Sequence, residues 1–361
     1  MENITTLNET RREEMCKMLN SYALAFWSVH PYITLVICAF GIPTNIVNIV
    51  ILNQKKMRSS INCILTAIAV SDIITMADYV PYTVFFYIIT GLSSEDIGRR
   101  RSFGWTYFLA VHSCLSITTH TLSLWLAVLM STVRYFFIKT SGRWNLNIVR
   151  TRLAIVGIFI GTVVLSCPLY ALTDLVPAKY ENATIYRIRG VQIYYNETSI
   201  MDVLNVWLHI VVGKVLPCCL ICVFGCLLLQ TLRKSQQLSE NLKLTSTSRR
   251  MRAHKRTTRM LLAIMTMFII SALPAAVLTL VSVFVEHFFT DCYLLLGDSL
   301  DFLSLINNSI NFIMYCIMSR QFRDCLCEAF PMCGNKFIHA QYRPATSVNS
   351  TGRPSTKNCN L

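Results

Sequence analysis

The stretch "NNSINFIMYCIMSRQFR", residues 307–323, joins an apolar segment to a short basic one. From 307 to 318 it carries amide, aromatic and aliphatic side chains but no charge, which is typical of a helix inside a membrane. Arg320 and Arg323 then open a segment that mixes charged and apolar residues, as helices lying on a membrane surface do. We therefore predict that a membrane helix ends here and that a short amphipathic helix follows at about 319–330.

The same apolar character extends over most of the chain. Of its 361 residues, 53% are hydrophobic and only 14% are charged, and the mean hydropathy is +0.48. Soluble chains carry far more charge. Backbone amides that face lipid must be paired within their own segment, so each apolar stretch of about 20 residues predicts a helix. The predicted fold class is an all-α membrane protein, a seven-transmembrane helix bundle with spans at 31–53, 61–91, 103–133, 153–173, 203–232, 260–285 and 293–318.

Basic residues and glycosylation sequons predict the orientation. Lysines and arginines cluster after the first, third and fifth spans, which marks those loops as cytoplasmic. The Asn-X-Thr sequons at Asn3, Asn8, Asn182 and Asn196 fall on the opposite side, where sugars are added. Both patterns predict a plasma-membrane protein with an extracellular N-terminus, although Arg99–Arg101 lie outside as a local exception. The net charge of +14 belongs mostly to the cytoplasmic face, so no nucleic-acid partner is predicted.

Three segments follow from this orientation. Residues 1–30 form an extracellular N-terminal segment, which is too polar for a cleavable signal peptide, so the first helix is expected to act as the signal anchor. Residues 31–330 form the seven-helix domain with its amphipathic helix. Residues 331–361 are rich in Ser, Thr, Pro and Asn and predict a disordered cytoplasmic tail.

The cysteines support two further predictions. Cys16 and Cys292 both fall on the oxidising side of the membrane, where thiols tend to pair, so we expect a disulfide between them; the alternative is an unpaired Cys16 in a flexible tail. Cys325 and Cys327 lie in the amphipathic segment and are candidates for palmitoylation. Plain thiols explain them equally well.

Polar residues inside the predicted spans are costly unless they are paired, and they point to a family. The chain resembles the rhodopsin-like (class A) G-protein-coupled receptors over roughly residues 30–330. The resemblance rests on residues that mark six of the spans in the family's order, namely Asn45, Asp72, Arg134, Pro217, Pro274, and Asn311 with Tyr315.

The resemblance implies roles for two groups of residues. Asp72, Ser123, Asn307 and Asn311 coincide with the family's internal sodium site, whose oxygen ligands suit a hard cation; the alternative is a dry hydrogen-bond network between helices. The residues implied in G-protein coupling and activation are Arg134, Tyr135, Phe268, Pro274 and Tyr315. Two of these residues also fit a purely structural role, because an arginine at the membrane edge can snorkel to phosphates and Phe268 can be ordinary core.

Departures from the family pattern indicate a branch. Ala272 replaces a usual tryptophan, Gly225 a usual tyrosine, and Phe312 a usual proline. With these departures, residues 295–323 resemble the invertebrate receptors for myosuppressin, FMRFamide-like peptides and sex peptide. The family's disulfide from the outer end of the third helix is missing, because its position is Leu109 and residues 174–216 hold no cysteine. Without the proline, we expect the seventh helix to run straight through Phe312.

That branch implies a short amidated neuropeptide as ligand, often ending in Arg-Phe-amide. It also implies a heterotrimeric G protein, a receptor kinase and arrestin as partners. Carboxylates near the outer end of the bundle would bind a guanidinium, and aromatic walls would take a phenylalanine ring. The candidate ligand-binding residues are Asp298, Asp301, Asp78, Tyr82, Trp105, His112, Trp207 and Phe302. Lys214, His112 or the outer arginines could instead occupy the aspartates internally.

Two other classes fit the sequence less well. A transporter or channel could use the membrane aspartates and Lys214 as a permeation path, but transporters commonly show internal repeats and no repeat stands out here. A membrane enzyme is not expected, because the seven histidines are scattered and form no metal-binding motif. Apart from the possible sodium ion, no cofactor is predicted.

Overall fold

The computed structural model describes residues 2–91, 96–140, 143–144, 146–180, 183–188, 204–205, 207–241, 248–285 and 288–330. Side chains are described from residue 17 onward within these ranges, apart from 232, 235, 236, 238–257, 283, 289 and 290. The helices are α1 (Glu2–Leu52), α2 (Ser60–Thr83), α3 (Ile97–Arg100), α4 (Phe103–Lys139), α5 (Ile148–Ala171), α6 (Leu216–Asn241), α7 (Ser248–Phe284), α8 (Leu294–Met318) and α9 (Arg320–Ala329). Between α5 and α6 lies a hairpin of β1 (Leu175–Tyr180) and β2 (Ala183–Ile188).

Among the described residues, seven helices are long and apolar enough to cross a membrane, which confirms the predicted bundle. The spans are Lys17–Leu52, Ser60–Ile89, Phe103–Lys139, Ile148–Ala171, His209–Thr231, Thr258–Ser282 and Asp291–Met318. The first span begins well before the predicted residue 31, because the stretch before it, "YALAFW", is also apolar and Pro31 lies inside the helix. Membrane helices tolerate such prolines because neighbouring groups can pair the freed carbonyl.

The apolar core lies toward the end of the bundle that carries α9, which we call the inner end; the opposite end is the outer end. The largest fully buried side chains of this core come from α9 and from the first, second, third, fifth and sixth spans. They include Phe322, Ile51, Ile64, Leu124, Met130, Leu228 and Leu261. The fourth span, α5, is peripheral, because only Thr151, Thr162 and Ser166 are buried along it. Its many exposed aliphatic residues therefore form part of the lipid-facing surface of the bundle.

Irregular turns interrupt three of the spans near their outer ends. π-helical turns at Val84–Ile89, His209–Val215 and Phe289–Tyr293 continue α2 and precede α6 and α8. The turn before α6 leads to Pro217, which has no N–H to donate, so a backbone carbonyl is freed there. The indole of Trp125 on α4 supplies a donor, because its Nε1 donates to the carbonyl of Val212 at 3.1 Å.

This contact gives a stability prediction. Replacing Trp125 by Phe removes the indole donor and keeps an aromatic ring, so we expect the free energy of unfolding to fall by about 1–2 kcal/mol. The expected readout is a lower melting temperature of the detergent-solubilised protein. Trp144→Phe is the matched control, because Trp144 is 39% exposed and no side-chain hydrogen bond of its indole occurs within the described residues. Equal melting temperatures for the two variants would contradict the role of Trp125.

The seventh span and the amphipathic helix match the prediction from residues 307–323. Helix α8 is a continuous α-helix through Phe312 with no proline inside it. The Phe312 ring packs edge-on against Phe322 of α9, with the ring centroids 6.0 Å apart. Ser319 caps α9 by accepting a hydrogen bond from the Phe322 N–H at 3.2 Å. Arg323 donates to the carbonyl of Cys316 at 2.9 Å, so its charge lies at the C-terminal end of α8 where a helix favours cations.

The hairpin between α5 and α6 is a feature that the predicted fold class omitted. Its second strand, "ATIYRI", is rich in residues that favour strands. The hairpin is attached to the outer end of the third span without a cysteine pair: the Tyr186 N–H donates to the carbonyl of Arg101 at 2.8 Å, and the Phe103 and Tyr186 rings meet edge to face. Partial burial, and then the nearby charges of Arg100 and Arg187, lower the pKa of the Arg101 guanidinium.

Candidate functional site

An outer cavity of about 460 Å³ lies between the second, third, fifth, sixth and seventh spans. Its polar lining comes from all five of these spans, and the fourth span and the hairpin contribute Leu169, Leu172, Thr173 and Ile188. Three of its polar residues lie on α4 at intervals of four, namely His112, Ser116 and His120. Residues four apart share one face of a helix, so this face of the third span borders the cavity.

Asp78 is paired inside the protein. His112 Nδ1 lies 2.7 Å from Asp78 Oδ2, and the two side chains are only 6% and 9% exposed. The Tyr82 ring stacks on the His112 ring with 4.0 Å between centroids. Asp78 therefore has the internal partner that the sequence left open, and that partner is His112. Tyr82 and His112 both line the outer cavity.

Asp298 also has an internal partner. It accepts a hydrogen bond of 2.7 Å from the Tyr87 hydroxyl. Tyr87 meets the ring of His30 on α1 edge to face, and Phe302 packs against Phe26 of the same helix with centroids 5.7 Å apart. Asp298 and Phe302 thus lie where the seventh span meets α1, and neither belongs to the lining of the outer cavity.

Asp301 does line the outer cavity. Tyr79 is its neighbour in the lining, with the Tyr79 hydroxyl 3.3 Å from Ser116 Oγ, and within the described residues Asp301 has no ion pair. Lys214 lines the same cavity, but its ammonium donates to the hydroxyls of Thr279 at 3.2 Å and Tyr293 at 3.4 Å. Lys214 therefore does not pair with an aspartate, although the sequence left that alternative open.

The two predicted tryptophans pack elsewhere. Trp105 stacks on Phe85 with 3.3 Å between centroids, and Trp207 meets Phe284 edge to face at 5.7 Å. Neither lines the outer cavity. Sequence reasoning instead missed His120, His209 and Thr279, which do line it. For His120 the signal was present, because it lies eight residues after His112 on the same helix face.

The Asp72 side chain lies in a buried network at the centre of the bundle. It is fully buried, and Asn311 Nδ2 donates to its Oδ2 at 3.0 Å. With the Asn308 side-chain amide turned so that its nitrogen faces Asp72, it donates to the other carboxylate oxygen at 3.3 Å, and the Asn308 backbone carbonyl accepts from Asn45 Nδ2 at 2.9 Å. Asn308 was missed, because the sequence resemblance selected its neighbour Asn307.

The four predicted sodium ligands do not converge in this arrangement. Ser123 donates to Ser71 at 3.0 Å, not to Asp72, and Asn307 Oδ1 is buried without a partner among the described residues. Amide N–H groups occupy both oxygens of Asp72. The donor set therefore fits the hydrogen-bond network better than a cation shell. Sodium binding stays a prediction.

A second cavity, of about 630 Å³, opens at the inner end of the bundle. Arg134 and Tyr315 are among the residues that line it. Arg134 Nη2 donates to the hydroxyl of Thr258 on the sixth span, and its guanidinium lies 5.4 Å from the centre of the Phe137 ring. The contact joins the third span to the sixth at the place where Val133 replaces the family's usual acidic neighbour.

The other predicted activation residues are spread along the third, sixth and seventh spans. The Tyr135 ring lies 5.9 Å from that of Phe224 on the fifth span. Phe268 is 2% exposed within the apolar core, and Pro274 lies inside α7. Tyr315 packs against Phe322 of α9 with 5.3 Å between ring centroids. All of these residues lie on elements that meet around the two cavities or between them.

Some predicted modification sites lie outside the described residues. These are the side chains of Cys16, Asn3 and Asn8, the residues Asn182 and Asn196, and the tail at 331–361. Cys292 is buried, with 4% exposure. Of the two acylation candidates, Cys325 is 2% exposed and Cys327 is partly exposed. Cys327 is therefore the more accessible candidate. Burial also raises the pKa of the Cys325 thiol, and Glu328 adds to this effect.

Comparisons with known proteins place these features in a family. The family described as "Serpentine type 7TM GPCR chemoreceptor Srw" matches residues 32–333. The G-protein coupled receptor dmsr-1 of Caenorhabditis elegans is 29% identical over 343 residues, which covers 82% of this chain and 67% of that protein. The sex peptide receptor of Drosophila melanogaster is 23% identical over 314 residues, covering 80% and 69% of the two chains.

A solved structure agrees with the fold. The crystal structure of squid rhodopsin superposes with a TM-score of 0.61 at 13% sequence identity, and the match covers 86% of each chain. At that identity the likeness establishes the helix bundle alone. The family match is a match of sequence, and it covers most of the chain. This protein therefore belongs to the serpentine seven-transmembrane G-protein-coupled receptors of the Srw family.

Proposed function

We propose that this protein is a plasma-membrane receptor, with its N-terminus outside the cell, that binds a short amidated peptide in the outer cavity. Binding would activate a heterotrimeric G protein at the inner cavity. Two relatives are receptors for peptides by name, the sex peptide receptor and the FMRFamide receptor of Drosophila melanogaster. The FMRFamide receptor is 22% identical over 321 residues, covering 85% of this chain and 54% of that protein.

The observation that carries the ligand class is the state of Asp301. It lines the outer cavity, and within the described residues it forms no ion pair; Lys214, which lines the same cavity, donates to the Thr279 and Tyr293 hydroxyls instead. Asp78 and Asp298, in contrast, are engaged by His112 and Tyr87. A carboxylate in a partly dehydrated cavity binds a guanidinium strongly, because both groups can form two parallel hydrogen bonds. An arginine of the peptide is therefore the expected partner of Asp301.

The proposed signal is a shift between two states of the bundle. The peptide binds the active state better and so raises its population. In that state the inner ends of the fifth and sixth spans separate. Because the sixth span would also move away from the third, the contact between Arg134 and Thr258 would break. Arg134 is then available to the G protein. A receptor kinase and arrestin are the expected partners after activation.

The proposal is tested by screening amidated peptides in cells that report several G-protein classes. We expect at least one peptide ending in Arg-Phe-amide to activate a G protein, and we expect Arg134→Ala to abolish the response. A transporter or channel would behave differently. Peptide-independent current or uptake that survives Arg134→Ala, without any G-protein response, would overturn the proposed function.

A further inference from the structure

The outer part of the fifth span carries a line of polar groups on one face. Asn205, His209 and Lys214 all line the outer cavity. Asn205 and His209 are four residues apart, as neighbours on a helical face are. Lys214 follows five residues later within the π-helical turn His209–Val215, in which residues five apart are neighbours. The three side chains therefore form a continuous polar stripe along the cavity wall.

Two of these groups are acceptors. His209 Nδ1 lies 2.9 Å from the backbone carbonyl of Asn205. A carbonyl can only accept, so in the neutral ring Nδ1 carries the proton and Nε2 presents a lone pair. His209 Nε2 is buried without a hydrogen-bond partner among the described residues, and the same is true of Asn205 Oδ1. Two buried acceptors, on residues four apart, thus lack donors among the described residues.

The third group is a donor. The Lys214 ammonium has hydrogen-bond contacts to the hydroxyls of Thr279 and Tyr293, and it forms no ion pair within the described part of the chain. The Thr279 hydroxyl donates its own proton to the Ala275 carbonyl at 2.6 Å, so it can only accept from Lys214. A cation in this setting is costly unless a strong acceptor satisfies it.

We propose that this stripe is a binding subsite for a primary carboxamide of the ligand, and that its source is the C-terminal amide of the peptide. A primary carboxamide has one carbonyl acceptor and two N–H donors. The carbonyl would accept from Lys214, and the two N–H groups would donate to His209 Nε2 and Asn205 Oδ1. This assignment deepens the proposed peptide-receptor function and rests on it.

A free carboxylate fits the same stripe less well. It has no N–H, so both acceptors stay unsatisfied and face a negative charge. Leaving a buried polar group without its partner costs about 1–3 kcal/mol, which corresponds to roughly a 5- to 150-fold loss of affinity. Lys214, considered alone, would favour the carboxylate because of its charge. The two acceptors and the lysine therefore act in opposite directions on the choice between amide and acid.

The experiment compares one active peptide in its amide and free-acid forms, with Phe-Met-Arg-Phe as the first pair. The measured quantity is the ratio of the two half-maximal concentrations for G-protein activation. This ratio does not depend on how much of a variant reaches the cell surface. In the wild type we expect the amide to be at least about 10-fold more potent than the acid.

The variants should shift this ratio in opposite directions. His209→Phe and Asn205→Leu remove an acceptor, so the preference for the amide should fall to about 3-fold or less. Lys214→Met removes the charge and should weaken the acid more than the amide. Val211→Ala is the matched control, because Val211 lies in the same turn but is 43% exposed on the lipid side and outside the cavity lining.

Each outcome decides a different point. If no peptide activates the receptor, the proposed function fails before the subsite is tested. If a peptide activates it but the ratio is the same in all four variants and the wild type, the subsite is refuted and the function stands. The bound carboxamide could also be an Asn or Gln side chain of the peptide. If a free-acid peptide is active and loses potency when such a residue is changed to Asp or Glu, the C-terminal amide is not the group that binds the stripe.

Discussion

Replacing Asp301 by Asn is expected to lower the potency of an Arg-Phe-amide peptide by about 100-fold. The amide keeps the size and shape of the side chain, so the packing against Tyr79 should be preserved. What is lost is the charge that faces the cavity. Potency is measured as the half-maximal peptide concentration for G-protein activation, with surface abundance measured in parallel.

Asp298→Asn is the matched control for this prediction. Asp298 is three residues away on the same helix, but it accepts from Tyr87 and does not line the cavity, so we expect a change of less than about 3-fold. A peptide with citrulline in place of arginine completes the comparison. On the wild type, the citrulline peptide should be much less potent than the arginine peptide. On Asp301→Asn, the two peptides should have nearly the same potency. Independent losses for the two changes would rule out a direct contact.

Removing the Thr258 hydroxyl is expected to raise signalling without peptide. The Arg134 guanidinium donates to this hydroxyl, and the contact joins the third span to the sixth in the present state. A hydrogen bond to a charged group contributes about 1.5–3 kcal/mol, which is enough to increase the active population by about 10-fold when that population is small. Thr258→Ala should therefore increase basal G-protein activity several-fold.

Thr258→Ser is the control that distinguishes the effect of the hydroxyl from the effect of the methyl group, because it removes only the methyl group. It keeps the acceptor for Arg134, and basal activity should stay at the wild-type level. Arg134→Ala removes both the restraint and the proposed contact with the G protein, so it should be silent with and without peptide. An unchanged basal activity in Thr258→Ala would show that this contact does not hold the inactive state.

The helix bundle could be predicted because each membrane span is a local property of the sequence. About 20 apolar residues specify a membrane helix wherever its neighbours lie, and the amphipathic helix after Ser319 followed from charge and spacing alone. The start of the first span, in contrast, was predicted too late in the sequence. The sequence predicts that residues 1–30 are too polar to belong to a span, whereas the helix α1 begins at Glu2 and the first span at Lys17.

The site was harder to predict, because it depends on which side chains meet across helices. Asp298 and Asp301 are three residues apart on one helix, and the sequence gives no reason to prefer either as a ligand contact. In the structure, Tyr87 donates to Asp298, whereas Asp301 lines the outer cavity. Trp105 was expected near the ligand, but Phe85 provides a stacking partner on the neighbouring span. Asn308, not Asn307, reaches Asp72 because of the rotation of α8 within the bundle. Helix rotation and the choice among competing partners are set by packing, which spacing along one helix does not encode.

The most direct test of the receptor mechanism uses the purified protein in lipid nanodiscs with a purified heterotrimeric G protein. The measured quantity is the rate of guanine-nucleotide exchange with and without an Arg-Phe-amide peptide. We predict that the amidated peptide accelerates exchange, that its citrulline analogue at the same concentration does not, and that Asp301→Asn removes the difference. Peptide binding at the outer cavity with no acceleration of exchange for any G-protein class would contradict this mechanism.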